Sequence, residues 1–355
     1  KIKKKKNLLE INNNKISKIV APYNLVKTMR AGILVLGPLL ARFNKAIVSF
    51  PGGCLIGSRP IDIHLNALAK LGVRYKFIKG YVHATAPNGL VGTKIKFKKI
   101  SVGATENLII AASSAEGETT LSNCAIEPEI QDLINFLNKM GSKIKWIAKR
   151  KIKIIGVKSF KKINYSIMFD RIEAGTMLIA GALIKGNLNI RSINPKIIKT
   201  EIDILKKIGV KIKTLKNQIN VSGGKKIKST NISTSPYPGF PTDLQAQIMV
   251  LLCKANKKST IKEKIFENRF MHVPELNRMG AKIKINGNKA SIQGNINFEG
   301  SEVTASDLRA SVSLVLAALS ARGKSIIHRI YHLDRGYEDI EKKLKKIGIK
   351  IKRKT

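Results

Sequence analysis

One short segment of the sequence combines a thiol with a flexible backbone and a nearby cation. It runs from Pro51 to Pro60 and contains Cys54, three glycines and Arg59. Glycine lets the backbone take positive φ and proline fixes φ, so we predict a mobile loop with stiff ends. A guanidinium near a thiol favours the thiolate and also holds anions. These features favour a lid loop with a reactive cysteine over a packed cysteine in an ordinary turn.

Several other charged residues stand near the predicted starts of buried helices, where a packed core needs no charge. The free N–H groups of a helix N-terminus attract phosphate and carboxylate groups. Aspartate is a favoured N-cap, so capping is the preferred interpretation of the aspartates. Arginine opposes the helix dipole there and needs an anion, which indicates a multiply anionic substrate. The set comprises Lys27, Arg30, Asp243, Arg269, Asp307, Arg309 and Arg335.

The cysteines and histidines show no metal-ligand spacing. Cys54, Cys124 and Cys253 are odd in number and widely separated, which is typical of a reducing compartment without disulfides. The five histidines lack an obvious nucleophile partner and are interpreted as structural. Walker, GxGxxG and GxSxG motifs are absent from the sequence. We therefore expect no metal and no cofactor.

The net charge of +43 invites a nucleic-acid hypothesis, but its distribution argues against one. Lysines are spread along the whole chain together with abundant Ile and Asn, residue types that share A/T-rich codons. We expect no nucleic-acid partner; the alternative predicts steeply salt-dependent DNA binding. The longest apolar run, Ala31 to Ala41, is broken by Pro38 and is too short to span a bilayer. With no visible signal peptide, a cytoplasmic protein without membrane contact is expected.

A repeated pattern organises the chain. Five glycines lie 68 to 71 residues apart, and each follows an amphipathic helix and precedes a strand-like alternation of the Lys-Ile-Lys type. Glycine just past the last helical turn is the expected left-handed stop. The glycines are Gly72, Gly141, Gly209, Gly280 and Gly348. The period predicts subdomains of about seventy residues that contain both helix and strand.

A second, more apolar helix recurs between these units and is predicted to be buried. Its copies start near Thr28, Thr105, Asp170, Asp243 and Asp307. Lys1-Ile2-Lys3 resembles the strand that follows each repeat glycine, so the first of six units is predicted to be truncated. The economical arrangement is an α/β fold of two groups of three units. The predicted domains are residues 1–168 and 169–355.

Seven motifs resemble one family, the enolpyruvyl transferases of the UDP-N-acetylglucosamine 1-carboxyvinyltransferase type. The resemblance is collinear and covers essentially the whole chain. It implies two domains, each an inside-out α/β barrel of βαβαββ units with the helices inside, and an active site in the cleft between the domains. The motifs are Leu25–Arg30, Pro51–Pro60, Ser101–Thr105, Pro241–Gln247, Phe266–Val273, Asp307–Ser311 and Asp334–Glu338.

The resemblance also implies a reaction. Phosphoenolpyruvate is protonated at its methylene carbon, the 3-hydroxyl of UDP-N-acetylglucosamine adds to the neighbouring carbon, and phosphate leaves. This is the first committed step of peptidoglycan synthesis, and hence of cell-wall biogenesis, cell shape and cell division. Both partners implied are small molecules.

Roles for individual residues follow from the same resemblance. Cys54 would be the general acid or the covalent handle for phosphoenolpyruvate, and Asp243 would be the general base. Asp307 and Arg335 complete the implied catalytic set, and Arg59, Arg335 and Arg309 would hold the phosphate and carboxylate of phosphoenolpyruvate. The implied substrate-binding residues are Arg30, Arg59, Pro60, Ile61, Asp62, Ile63, Lys99, Ile100, Ser101, Val102, Asp243, Ile265, Arg269 and Arg309.

One feature of the family is not matched. A Lys-Asn pair that contacts phosphoenolpyruvate is expected near the N-terminus, but Lys6-Asn7 stands in the wrong context and the pair is expected upstream of residue 1. Two alternatives stay open. One is the sister transferase that acts on shikimate 3-phosphate, and the other is a paralogue that binds UDP-sugar without turnover.

Overall fold

The computed structural model describes residues 2–14, 16, 18–27, 29–50, 61–184, 186–224 and 226–354, apart from the Arg30 side chain. The predicted lid loop, Pro51–Pro60, therefore lies outside the described residues, and so does Thr28. The described residues form two compact units, one that ends at Ser166 and one that begins at Ile167. The assignment of residues 1–168 and 169–355 as two enolpyruvyl-transferase domains stays a prediction.

The first unit opens with an antiparallel hairpin and continues with two copies of one strand–helix pattern. Its elements are β1 (Ile2–Lys5), β2 (Leu8–Ile11), β3 (Val20–Ala21), α1 (Tyr23–Val26), a 3-10 helix (Arg30–Val35), α2 (Leu36–Phe43), β4 (Lys45–Ser49), α3 (Asp62–Lys70), β5 (Arg74–Ile78), β6 (Tyr81–Thr85), β7 (Lys94–Lys96), α4 (Val102–Ala112), β8 (Glu118–Ser122), α5 (Pro128–Lys139), β9 (Lys143–Ala148) and β10 (Lys151–Ile155).

The second unit opens with a helix and repeats the pattern. Its elements are α6 (Arg171–Leu183), β11 (Asn187–Arg191), a 3-10 helix (Pro195–Ile198), α7 (Lys199–Lys207), β12 (Lys211–Leu215), β13 (Gln218–Ser222), β14 (Asn231–Ser233), a 3-10 helix (Thr242–Leu244), α8 (Gln245–Cys253), β15 (Ser259–Lys262), α9 (Val273–Arg278), β16 (Ile283–Asn286), β17 (Lys289–Ile292), β18 (Phe298–Glu299), β19 (Glu302–Thr304), α10 (Leu308–Leu319), β20 (Ala321–Arg322), β21 (Ile326–His328), a 3-10 helix (Ile330–Arg335) and α11 (Ile340–Lys346).

Three sheets share one topology. Their strand orders are β3-β4-β6-β5, β7-β8-β10-β9 and β14-β15-β17-β16. In each, the first two strands are parallel, because a helix connects them, and the last two form an antiparallel hairpin. The sheet β11-β13-β12 repeats the antiparallel part. The predicted βαβαββ repeat is thereby confirmed.

The five repeat glycines all have positive φ, from 88° at Gly348 to 109° at Gly141, as the predicted helix stops require. A strand follows the first four. The prediction of a strand at Lys350-Ile351-Lys352 is wrong, because residues 349–354 pair with no strand that the structure describes. Ile349 and Ile351 are nevertheless partly buried against a core cluster. The alternation of residue types determined which side chains are buried, but it could not supply a neighbouring strand.

Apolar helices form the interior of each unit, as predicted. All nine residues of α8 are buried, and α8 contacts α6 and α10, which also contact each other. In the first unit α4 contacts both α2 and α3. Full burial of a Leu or Ile side chain contributes about 1.5–3 kcal/mol, so these helices supply much of the stability. No helix among the described residues is long and apolar enough to cross a bilayer.

Two predicted helix starts are displaced. Helix α4 begins at Val102 rather than near Thr105, because the Ser101 hydroxyl accepts the Ala104 N–H at 3.2 Å and caps the helix there. Helix α8 begins at Gln245, because residues 242–244 tighten into a 3-10 turn that contains Asp243. Asp170 and Asp307 do cap α6 and α10, where they were expected.

We expect Gly209→Ala to lower the free energy of unfolding by about 1–3 kcal/mol, because alanine is strained at positive φ. Gly209 has φ of +96°, and an added Cβ would lie 2.9 Å from the Lys226 carbonyl oxygen. Gly186→Ala is the matched control, since a Cβ there meets nothing within 4 Å. Urea unfolding followed by circular dichroism measures both variants. Equal midpoints for the two would contradict the role of the helix stop.

Candidate active site

The Asp243 carboxylate lies between two buried guanidinium groups. Arg269 Nη2 donates to Oδ1 at 2.5 Å, and Arg309 Nη2 lies 3.4 Å from Oδ2. The arginine side chains are only 4% and 15% exposed, whereas that of Asp243 is 41% exposed. A buried cation is costly unless it is paired, so the carboxylate stabilises both arginines while one side of it stays open to solvent.

The two aspartates predicted as helix caps have different roles. Asp307 Oδ1 accepts the backbone N–H groups of Arg309 at 2.8 Å and Ala310 at 3.1 Å, which confirms the capping interpretation. For Asp243 that interpretation is wrong. Asp243 lies inside a 3-10 turn whose N-cap residue is Pro241, and no side chain caps that turn. The Asp243 carboxylate contacts the two arginines instead.

A buried glutamate that the sequence did not single out supports the Arg269 side of the site. Arg269 also donates to the Thr242 carbonyl oxygen, and Thr242 Oγ1 donates to Glu263 Oε2 at 2.9 Å. Glu263 Oε1 accepts the Thr234 hydroxyl at 2.8 Å and the Ile265 N–H at 2.7 Å. The carboxylate thus joins the end of β15 to the turn before α8. No motif or spacing in the sequence marks Glu263.

Arg309 is held from two directions. Its Nη1 donates to the Tyr337 hydroxyl at 3.2 Å, and its Nη2 faces Asp243. Burial by itself would lower the pKa of Arg309, but the charge of Asp243 and the hydrogen bond to its carboxylate outweigh burial and raise the pKa above the ordinary value. The guanidinium therefore stays charged. Tyr337 was part of a quoted motif but was not predicted as a site residue.

The remaining predicted residues of the second unit are more peripheral. Arg335 ends the 3-10 helix Ile330–Arg335 and is exposed, while Ile265 is half-buried beside the Glu263 carboxylate. The structure thus brings Asp243, Arg269 and Arg309 into direct contact. Arg335 and Ile265 are not part of this cluster of Asp243, Arg269 and Arg309.

The predicted residues of the first unit lie at the N-terminal ends of two neighbouring helices. Ile61, Asp62 and Ile63 surround the start of α3, and residues 99–102 lead into α4. A Cβ placed on Gly103 would lie 3.3 Å from the ring of His64, so the two helix starts are adjacent. Helix N-termini attract anions, which makes this edge of the unit suitable for a phosphate group.

A buried amide that the sequence did not mark fixes that arrangement. Asn107 Oδ1 accepts the Gly37 N–H at 2.7 Å, and Asn107 Nδ2 donates to the Ile33 carbonyl oxygen at 3.2 Å. The same nitrogen lies 3.1 Å from His64 Nδ1. Because an amide nitrogen only donates, His64 accepts there. The expectation of a structural histidine fits His64.

The side chains of four predicted residues cannot be placed in the site. Cys54, Arg59 and Pro60 lie outside the described residues, and of Arg30 only the backbone is described. The other two cysteines are buried and free, and burial raises the pKa of both Cys124 and Cys253 to about 12. Neither is a reactive thiol at neutral pH.

The repeated fold is that of an enolpyruvyl transferase. The family model of EPSP synthase (3-phosphoshikimate 1-carboxyvinyltransferase) matches residues 1–344. The chain belongs to this family.

Within the family, two relatives give a narrower comparison. A protein of Pelagibacter ubique (strain HTCC1062), named UDP-N-acetylglucosamine 1-carboxyvinyltransferase, is 72% identical over 352 residues, which are 99% of this chain and 84% of that protein. A protein of Coxiella burnetii (strain RSA 493 / Nine Mile phase I) with the same name is 50% identical over 346 residues, 97% of this chain and 80% of that protein.

Solved structures show the same fold. The enolpyruvyl transferase NikO from Streptomyces tendae superposes with a TM-score of 0.83 at 23% identity, covering 94% of this chain and 80% of that one. EPSP synthase from Acinetobacter baumannii superposes with a TM-score of 0.71 at 18% identity, covering 92% and 78%. The predicted inside-out α/β fold is confirmed.

We expect the protein to lose stability on acidification between about pH 6.5 and 4, in part because of His272. Burial, assisted by Arg269, lowers the pKa of His272 to about 4, against the opposing effect of Asp307. The unfolded chain binds a proton in this range and the folded chain does not, so folding becomes less favourable as the pH falls. His272→Gln should remove up to about 2 kcal/mol of this dependence, measured by urea unfolding at pH 7.5 and pH 5.

Glu106→Gln provides a control of opposite sign. Burial, with Glu129 and Glu127, raises the pKa of Glu106 to about 7, so its protonation below pH 7 favours the folded state. Its replacement should stabilise the protein above pH 7 and should steepen the loss of stability on acidification. If the two variants change the pH dependence in the same direction, the assignment to His272 is wrong.

Proposed function

We propose that the chain transfers the enolpyruvyl group of phosphoenolpyruvate to the 3-hydroxyl of UDP-N-acetylglucosamine and releases phosphate. The observation that carries the proposal is the 72% identity, over 99% of the chain, to a relative that bears the name of this activity. In the proposal, the paired site of Asp243, Arg269 and Arg309 would supply a general base and two cations for the transfer. The product would serve peptidoglycan synthesis.

In this proposal Asp243 is the general base. A carboxylate has about four lone-pair positions, and two arginines use only part of them, so the exposed side can accept a hydrogen bond from the sugar hydroxyl. The arginines favour the ionised form and fix its orientation. As the hydroxyl oxygen bonds to the central carbon of phosphoenolpyruvate, its proton passes to Asp243.

Cys54 would complete the addition as the general acid at the methylene carbon, or as a covalent handle. Loss of a proton from the resulting methyl group then restores the double bond as phosphate leaves. Arg59 and Arg335 would hold the phosphate and carboxylate of phosphoenolpyruvate, for which planar guanidinium groups are suited. Asp307 would act beside them, in addition to capping α10.

The first unit would bind the diphosphate of the UDP-sugar. Residues 61–63 and 99–102 lie at two adjacent helix N-termini, where a diphosphate is favoured. Arg30, Ile265 and Arg269 belong to the same proposed set. A cytoplasmic location is also proposed, and the free thiols of Cys124 and Cys253 are in keeping with it.

The alternative acceptor, shikimate 3-phosphate, is less well supported. The solved EPSP synthase structures match at 18% and 19% identity, against 50–72% for the relatives named for the UDP-sugar. A UDP-sugar-binding paralogue without turnover has no specific observation in its favour.

Phosphate release from phosphoenolpyruvate by the full-length protein tests the proposal directly. We expect turnover with UDP-N-acetylglucosamine, and we expect Asp243→Asn to lower kcat by about 10²–10⁴, because the base is lost. Asp203→Asn is the matched control, since Asp203 is an exposed residue of α7 paired with Lys199 in the same unit. Turnover with shikimate 3-phosphate alone would refute the acceptor, and unchanged kcat in Asp243→Asn would refute the base.

The thiol assignment is tested by alkylation with the epoxide fosfomycin, followed by mass spectrometry. We expect label on Cys54 only, because Cys124 and Cys253 are buried and have raised pKa values. Labelling should be faster with UDP-N-acetylglucosamine, which is expected to close the lid, and should be lost in Cys54→Ser. Label on either buried cysteine in the folded protein would count against the assignment.

A further inference from the structure

The hydroxyl of Tyr337 is the meeting point of three polar side chains in the interior of the second unit. Tyr337 is 1% exposed. Its Oη lies 2.8 Å from Thr176 Oγ1 of α6, 3.2 Å from Arg309 Nη1 of α10 and 3.3 Å from Gln247 Nε2 of α8. A buried phenol needs hydrogen-bond partners, and here each of the three inner helices supplies one.

The direction of these hydrogen bonds follows from the donors available. Thr176 has one hydroxyl proton, and it donates to the Ile172 carbonyl oxygen at 2.8 Å. Tyr337 must therefore donate its own proton to Thr176. The lone pairs of the phenol oxygen are then left to accept from Arg309 and Gln247, whose nitrogens only donate.

Both of these donors also contact Asp243. Arg309 places its other terminal nitrogen 3.4 Å from Asp243 Oδ2, and Gln247 Nε2 donates to the Asp243 carbonyl oxygen at 2.7 Å. The guanidinium of Arg309 additionally lies 5.8 Å from the centroid of the Tyr337 ring. The Tyr337 hydroxyl oxygen is thereby linked through Arg309 to the Asp243 carboxylate, and through Gln247 to the Asp243 backbone carbonyl.

We propose that Tyr337 is a positioning residue, whose hydroxyl holds the Arg309 guanidinium in register with the Asp243 carboxylate. The Arg309 side chain is long and has several rotatable bonds. Of its two polar partners, the Tyr337 hydroxyl and the Asp243 carboxylate, loss of the hydroxyl would leave only the carboxylate. The consequence for catalysis rests on the proposed function of Asp243. The consequence for the geometry of Arg309 does not.

The effect should be visible in the protonation of Asp243. Arg269 and Arg309 both contact its carboxylate, and Asp170 acts in turn on Arg309. Loss of the Tyr337 hydroxyl leaves Arg269 in place and disturbs Arg309 alone. The ionised carboxylate then loses part of its stabilisation, so it should take up a proton at higher pH.

The first experiment is a pH titration of the ligand-free protein with ¹³C-labelled aspartate carboxyl groups. The chain has eight aspartates, and Asp243→Asn assigns the relevant resonance. We expect Tyr337→Phe to move the Asp243 midpoint upward by about half a pH unit or more. Tyr165→Phe is the matched control, because its hydroxyl bonds Asp132 in the first unit. An Asp243 midpoint unchanged by Tyr337→Phe overturns the proposal.

The second experiment measures turnover. We expect Tyr337→Phe to lower kcat about tenfold, the scale of one hydrogen bond to a charged group, and to move the acid limb of the kcat profile upward. KM for UDP-N-acetylglucosamine should change less than about twofold, because no uniform binding contact is removed. Tyr165→Phe should behave as wild type.

Thr176 supplies a second pair of variants, in case Tyr337→Phe folds poorly. Thr176→Val removes the acceptor of the Tyr337 proton and should lower kcat, whereas Thr176→Ser keeps the hydroxyl and should retain it. A loss of thermal stability without a shift of the acid limb would show a structural role and overturn the proposal. Absence of turnover in the wild type would refute the proposed function, and the titration would still decide the role of Tyr337.

Discussion

The pairing of one carboxylate with two buried guanidinium groups is the interaction on which the site depends. Arg269 and Arg309 come from separate elements, the segment before α9 and the first turn of α10, and neither would be stable in the interior without Asp243. The carboxylate in turn is oriented by them. Its solvent-exposed side is open to a polar substrate.

The repeated fold explains why the charges meet. In each unit the apolar helices lie inside, so their N-terminal ends emerge together at an edge of the unit. Asp243 precedes α8, Arg309 begins α10, and residues 101–102 begin α4. An inward helix packs mostly apolar side chains along its length, and its free backbone N–H groups lie at its N-terminal end. Chemistry is therefore placed at the helix starts, and Tyr337 and Asn107 reinforce these ends from within.

Much of the fold was predictable because it rests on local rules. The glycine stops at Gly72 and Gly209 follow from the need for positive φ after a helix, and the inward position of α8 follows from its uniform apolarity. The expected strand at residues 350–352 failed because pairing depends on a neighbour. Glu263, likewise, could not be predicted, because its partners Thr234 and Thr242 lie 29 and 21 residues away.

The sequence by itself determined the repeat, the faces of its helices and strands, and the types of charged residue available to an anionic substrate. Only the tertiary structure decided which charges pair. Asp243 and Asp307 stand in similar sequence contexts, yet one caps a helix and the other binds two arginines. Local sequence governs φ, periodicity and burial, which act over a few residues. Hydrogen-bond partners such as Thr176 and Tyr337 are 161 residues apart, so their contact exists only after folding.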